Sequence, residues 1–211
     1  MAVPATIWLY RITHRDNLAH ILEHGICQKN HPDANPEYKA IGHKEIIGKR
    51  TDHPVKIDGY GHIGDYVPFY FTPASIMLYN ILTGYGVPKI PPSEIIFILS
   101  SVAAITAGNQ RYFFTDGQAN THISRHLHVL QDLNKVDCAV IKSGDFKKSI
   151  HDIDRPRRYQ AEFLVNGHVP VNCIEAIATY NESSATFAKK ELARTDLLTP
   201  VYIKKSFYFN R

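Results

Sequence analysis

The chain has 211 residues, 44% of them hydrophobic and 21% charged, and a net charge of +4 with histidine neutral. That balance fits an ordinary folded domain and excludes a disordered tail, a collagen-like fibre and a disulfide-dense miniprotein. Three widely spaced cysteines (Cys27, Cys138, Cys173) form no C-x-x-C pair, so free thiols are expected rather than a zinc ribbon or disulfide framework.

Residues 6–12 read as a strand. Thr13, with Asp16 three residues on, is expected to cap a helix whose apolar face is Leu18, Ile21 and Leu22 and which stops at Gly25. Thr13 and His14 then lie at a strand-to-helix turn, where outward-pointing backbone N–H groups suit an anion or a polar ligand. From 27 to 64 the chain is polar, with a weak helix over 39–49, and a segment of that length inside a compact domain is more often functional than idle. Residues 66–71 (YVPFYF) form a strand, placed at an edge or starting after Pro68 because proline cannot donate to a ladder. Ser75 caps a helix through Leu82 that ends at Gly84, and a proline-rich link over 88–93 leads into a strand over 94–101.

Further on, 120–133 reads as a helix, 137–141, 160–165 and 174–180 as strands, 185–193 as a short helix and 201–209 as a closing strand. Strands and helices without regular βαβ alternation make one α+β domain over residues 1–211. The most apolar stretch, 95–105, is about half of the ~20 residues a membrane-spanning helix needs. The opening MAVPATIWLYRITHRD lacks the basic and apolar regions of a leader, so the cytoplasm is the expected location.

In RRYQAEFLV (157–165), Gln160 and Glu162 stand two apart and should share one strand face, with Phe163 and Val165 towards the core. A carboxylate beside an amide and two arginines is placed for chemistry; the plain alternative is an edge glutamate paired with Arg158. YRITHRDN (10–17) gathers an aromatic, a cation, a hydroxyl, an imidazole and an amide around one turn. Between Lys142 and Arg158 six basic residues (Lys142, Lys147, Lys148, Arg155, Arg157, Arg158) face three aspartates, a pattern for a polyanion contact or a solvated loop. The pairs His20/His24 and His122/His126 lack the glutamate of H-E-x-x-H, so no metal is expected. No G-x-G-x-x-G, P-loop or G-x-S-x-G motif occurs.

Four motifs in order, YRITHRDNLAHILEHGI, DYVPFYFTPASIMLY, TDGQA and RRYQAEFLV, span nearly the whole chain. With them the chain resembles the DarT family of DNA ADP-ribosyltransferase toxins. The resemblance implies an ADP-ribosyltransferase split β-sandwich and NAD+ as co-substrate without a metal. It further implies single-stranded DNA as acceptor and a cognate antitoxin that removes the modification; the sequence does not give the oligomeric state, and a monomer is the favoured expectation. Residue by residue, it implies Glu162 as the catalytic glutamate and Arg50, with Lys49 as a rival, as the arginine that closes on NAD+. The 27–64 segment would then cover NAD+ and substrate. Arg11, Thr13, His14, Asn17, Tyr70 and Gln160 would bind NAD+, with Tyr70 stacked on the nicotinamide. Lys147, Lys148, Arg155, Arg157 and Arg158 would hold the DNA, with Tyr159 or Tyr66 as stacking surfaces.

The chain departs from the family where many members carry His at Arg11, Arg-Ser-Pro-Met at 74–77 and an all-arginine run at 158–160. These departures point to guanine rather than thymine as the base. The rival readings are an RNA 2′-phosphotransferase or a protein ADP-ribosyltransferase on the same fold, or a non-catalytic nucleic-acid-binding module.

Overall fold

The computed structural model describes residues 6–209, so the first five residues of the stretch read as leaderless lie outside the described residues. β1 (Trp8–His14) runs into a short 3-10 turn and α1 (Leu18–His24). The cap there is His14, whose Nδ1 accepts from the Asp16 N–H at 3.2 Å; Thr13, the expected cap, is a fully buried strand residue. Gly25 ends α1 at φ +74°, with the Val169 carbonyl 2.3 Å from where a Cβ would sit, so no other residue fits. β2 (Ile26–Cys27) follows, and α2 (Lys44–Thr51) lies several residues later than the expected 39–49 helix. β3 (Tyr66–Tyr70) precedes α3 (Ile76–Thr83), which Ser75 caps and Gly84 ends as expected.

β4 (Ile95–Ser101) is buried along its whole length, and α4 (Val102–Thr106) and β5 (Tyr112–Thr115) come next, neither foreseen. Where a 120–133 helix was expected, the chain turns, forms β6 (His126–Leu127) and then a 3-10 helix over Leu130–Lys135. The expected 137–141 strand is instead α5 (Cys138–Ser143), capped by Asp137 and stopped by Gly144. α6 (Arg155–Tyr159), also unforeseen, leads into β7 (Glu162–Asn166) and β8 (His168–Val169). β9 (Ala176–Thr179), α7 (Glu182–Leu192) and β10 (Val201–Ile203) close the chain. The expected 201–209 strand stops at Ile203 because Lys205–Tyr208 turns as a 3-10 helix and seats Tyr208 in the core, its hydroxyl on the Ile95 carbonyl.

The main sheet runs β10-β9-β4-β1-β3-β7-β5-β6. β3 is therefore central, not at an edge. It tolerates Pro68 because it meets β1 at a single register pair, Tyr10↔Tyr70, while it pairs with β7 along its whole length. The Pro68 carbonyl accepts from Arg11 on the β1 side, and the carbonyl and missing N–H of a strand residue point the same way. The proline thus falls on the unpaired margin, and the sheet splits there into two halves.

One face of both halves shares a core containing Leu9, Ile98, Phe114 and Phe163 beneath α1 and α7. The other face is divided. Ile12, Phe97 and Leu99 pack with α3 on the β1–β4 side, and Phe113, Leu164 and Tyr66 pack on the β5–β7 side. Both faces of β4 are covered, which explains its uninterrupted apolar run.

Candidate active site

Glu162 opens β7 directly across from Tyr70 on β3, at the end of the strand pair nearest the split. Only 2% of its surface is exposed. Arg50, in the last turn of α2, reaches it with two bonds: Nη1 to Oε1 at 3.1 Å and Nη2 to Oε2 at 2.8 Å. The Ala119 N–H adds a third at 3.3 Å to Oε1. Burial works against the Arg50 charge, but the charge and hydrogen bonds of Glu162 outweigh it and raise the guanidinium's pKa. The sheet thus places the carboxylate rigidly, while its cation arrives on a helix whose Ile46 and Ile47 remain open to solvent.

The TDGQA turn is built to present that Ala119 N–H. Thr115 Oγ1 accepts from the Glu162 N–H at 3.1 Å and donates to the Gly117 carbonyl. Asp116 accepts from the Arg125 N–H and Nε and from Arg157 Nη1, each within 3.0 Å. Burial alone would raise the Asp116 pKa, and these bonds and charges lower it. Gly117 is required: a Cβ there would lie 2.3 Å from Arg157 Nη1 and 2.9 Å from the Arg157 carbonyl oxygen.

Tyr70 forms the wall opposite. Burial, reinforced by the Glu162 charge, lifts its phenol to about 12, so it stays protonated, and it donates to Met77 Sδ at 3.3 Å. Arg11 joins the margin of the split through Pro68 and Tyr38, and the Tyr38 hydroxyl also lies 3.4 Å from Thr13 Oγ1. Asn17 is committed to holding the chain. Its amide donates to Thr13 Oγ1 and the Lys39 carbonyl and accepts from the Lys39 N–H, pinning the 27–64 segment to the first turn. His14 is held between the Asp16 N–H and Glu94.

Other expected positions are placed differently. Gln160 lies outside the strand and cannot share a strand face with Glu162; it caps α6, its amide donating to the Pro156 carbonyl at 2.9 Å. Tyr159 is 2% exposed, with its hydroxyl on the Ala74 carbonyl, and Tyr66 is 4% exposed, with its hydroxyl on Tyr60; neither presents a face to a base. Arg155, Arg157 and Arg158 are tied to Asp145, Asp152, Asp154, Asp116 and Asp137. Asp145, Asp152 and Asp154 belong to the basic stretch itself, while Asp116 and Asp137 come from outside it, and together they largely neutralise the three arginines. Lys147 and Lys148 are exposed. Lys49 is also exposed, and it is Arg50 that the fold brings to Glu162.

Sequence reasoning missed Tyr38, the Ala119 N–H and His126. The TDGQA motif signalled the turn, but nothing local showed that its backbone meets a glutamate 43 residues away. Among the described residues, no group of three or more His, Cys, Asp or Glu is placed to hold a metal, and no helix is long and apolar enough to cross a membrane.

The site is a buried carboxylate bearing a cation and a backbone donor, faced by a neutral phenol. It can orient hydroxyl groups and stabilise positive charge that develops beside it. A family model described as "ssDNA thymidine ADP-ribosyltransferase, DarT" matches residues 10–209. A DNA ADP-ribosyl transferase of Escherichia coli O127:H6 is 33% identical over 208 residues, covering 98% of this chain and 95% of the relative. Among solved structures, Thermus sp. 2.9 DarT in complex with ADP-ribosylated ssDNA superposes with a TM-score of 0.90 at 28% identity, covering 99% of each chain. The same protein in complex with NAD+ gives 0.84 at 27% identity, covering 98% of this chain and 100% of that one.

Proposed function

The chain belongs to the DarT family of single-stranded-DNA ADP-ribosyltransferases, which use NAD+; from that premise we propose how its residues divide the reaction and which base they modify. The observation that carries the proposal is Glu162, buried at the split of the sheet under Arg50 and opposite Tyr70.

The bond between nicotinamide and ribose C1′ breaks with its electron pair leaving on nicotinamide, and C1′ becomes cation-like. Glu162 orients the ribose hydroxyls and stabilises that charge, as carboxylates do in glycoside cleavage. A base nitrogen then bonds to C1′ and loses its proton, for which Glu162 is the acceptor the site offers; Arg50 and Tyr70 remain protonated. Because Arg50 occupies both carboxylate oxygens on a helix exposed on its outer side, it exchanges one of those bonds for the diphosphate when NAD+ enters. Tyr70 walls the nicotinamide. Arg11, Thr13 and His14 border the entry, and Asn17 acts one step back through the Lys39 backbone.

For the base, the first reading is thymine, following the family's description. Guanine, expected from the sequence departures, is the second. Arg11, the main departure, has work in this fold that is unconnected with base choice: it bridges Pro68 and Tyr38 across the split. DNA follows the turn at 115–125 towards Lys147 and Lys148, in the cytoplasm, and a cognate antitoxin that hydrolyses the adduct completes the system. Incubation with NAD+ and single-stranded oligonucleotides differing at one central base, read by intact mass, tests this. An ADP-ribose adduct confined to the thymine oligonucleotide is expected; an adduct confined to guanine establishes the second reading, and labelling of protein alone overturns both.

A further inference from the structure

Three hydrogen bonds run in series from the covering segment to Glu162. The Lys56 N–H donates to His126 Nδ1 at 3.0 Å, His126 Nε2 lies 2.9 Å from the Ala119 carbonyl, and the Ala119 N–H donates to Glu162 Oε1 at 3.3 Å. The chemistry of the neighbours fixes the ring's state. Nδ1 faces a donor and must be bare; Nε2 faces a carbonyl and must carry the proton. The imidazole is therefore neutral and in one tautomer. It is 8% exposed and stacked on Phe113, with ring centroids 5.1 Å apart, so it cannot turn to offer another edge.

We propose that His126 is a positioning residue for catalysis: as the neutral Nε2–H tautomer it clamps Ala119, keeping that residue's N–H on Glu162, and ties the turn at 115–125 to the end of the covering segment at Lys56. This rests on the reading of Glu162 given above and adds a residue that touches neither substrate nor reacting atoms. A second feature of the same junction agrees. Lys56 Nζ donates to the Thr121, His122 and Ser124 carbonyls, so one residue fastens both sides of the loop that His126 closes.

A proton on Nδ1 would set two N–H groups against each other and release the Lys56 side of the clamp. The charged and titratable groups facing the ring are Lys56 and His53 from the covering segment and Glu162 from β7; Phe113 of β5 and the Ala119 backbone are uncharged. Burial, ahead of the opposing Ala119 bond and the Lys56 and His53 charges, pushes the imidazole below its ordinary value. Transfer should therefore fail on an acid limb lying below about 6.5, the value of free histidine.

The test compares wild type, His126→Phe and His126→Gln for transfer of ADP-ribose from NAD+ to single-stranded DNA between pH 5 and 9, with unfolding followed in parallel. His126→Phe keeps the ring on Phe113 and removes both bonds; kcat should fall on the order of 10- to 100-fold from misplacement of the catalytic group. KM for NAD+ should stay within about twofold, since only transition-state placement is lost. His126→Gln can still donate to the Ala119 carbonyl and should restore most of kcat while abolishing the acid limb. Wild-type kcat in folded His126→Phe, or an unchanged acid limb in His126→Gln, overturns the proposal. Nitrogen-15 shifts of histidine-labelled wild type give a reading that does not depend on activity. A single Nε2–H tautomer titrating below free histidine supports the clamp; tautomer averaging with an ordinary titration refutes it, even if transfer to DNA were absent and the proposed function itself had failed.

Discussion

Removing one member of the Arg50–Glu162 pair should cost different amounts depending on which is removed. Arg50→Met keeps the side chain's length but leaves Glu162 as a carboxylate, 2% exposed, on a strand that cannot move and with only the Ala119 N–H as partner. Breaking a buried pair in this way costs about 3–5 kcal/mol. Glu162→Gln preserves volume and can still accept from Ala119. The arginine it strands is 16% exposed, on a helix whose outer face is already in water, so it can leave the site, and the cost falls to about 1–2 kcal/mol. The gap of about 2 kcal/mol corresponds to roughly 4–8 °C in Tm for a chain of this size. The double variant removes both charges and should be more stable than Arg50→Met alone, with a coupling of about 1–3 kcal/mol. Urea unfolding of the four proteins measures each value. Equal costs for the two single variants, or a double variant no more stable than Arg50→Met, would refute the picture of a fixed carboxylate and a mobile cation.

Three further outcomes follow from the same geometry. Gly117→Ala should displace the turn from Arg157, costing about 1–3 kcal/mol and cutting transfer, as urea unfolding and a transfer assay would show; unchanged values would mean the turn yields freely. If Lys147 and Lys148 each meet a phosphate, replacing both by alanine should make the slope of log affinity against log salt shallower by about 1.4, from about 0.7 per contact on a single strand; fluorescence titration at several salt concentrations decides. Asp116 is held below its unfolded value of about 3.9, so its contribution to stability is complete above that value and is lost as pH falls through the lower folded one. Asp116→Asn should therefore lose stability at neutral pH and unfold less steeply in acid, followed by circular dichroism.

Where strong local signals agreed, the sequence could be read. Gly25 and Gly84 stop their helices, Ser75 caps one, and the apolar run of β4 is a strand buried on both faces. At 137–141 the β-branched residues suggested a strand, yet the Asp137 side chain on the Val140 N–H and the left-handed Gly144 frame a helical turn. Over 120–133 the spacing of Ile123, Leu127, Leu130 and Leu133 suggested a helix, yet the structure leaves Ile123 and Leu130 exposed. That segment is fixed by distant partners, Lys56 and Asp116, which propensity cannot reveal. The site shows the same division. Glu162 and Arg50 could be proposed by resemblance, but their contact spans 112 residues and depends on how α2 folds back onto β7. The arginines of 155–158 looked like a DNA patch because their aspartate partners at 116 and 137 lie far away in sequence.

The most direct measurement is intact mass of a single-stranded thymine-containing oligonucleotide after incubation with NAD+ and either wild type or Glu162→Gln. The account predicts an added ADP-ribose unit with wild type and a rate lower on the order of 10²–10⁴-fold with the folded variant. Equal rates for the two proteins would contradict the assignment of Glu162 as the group that makes the reaction possible.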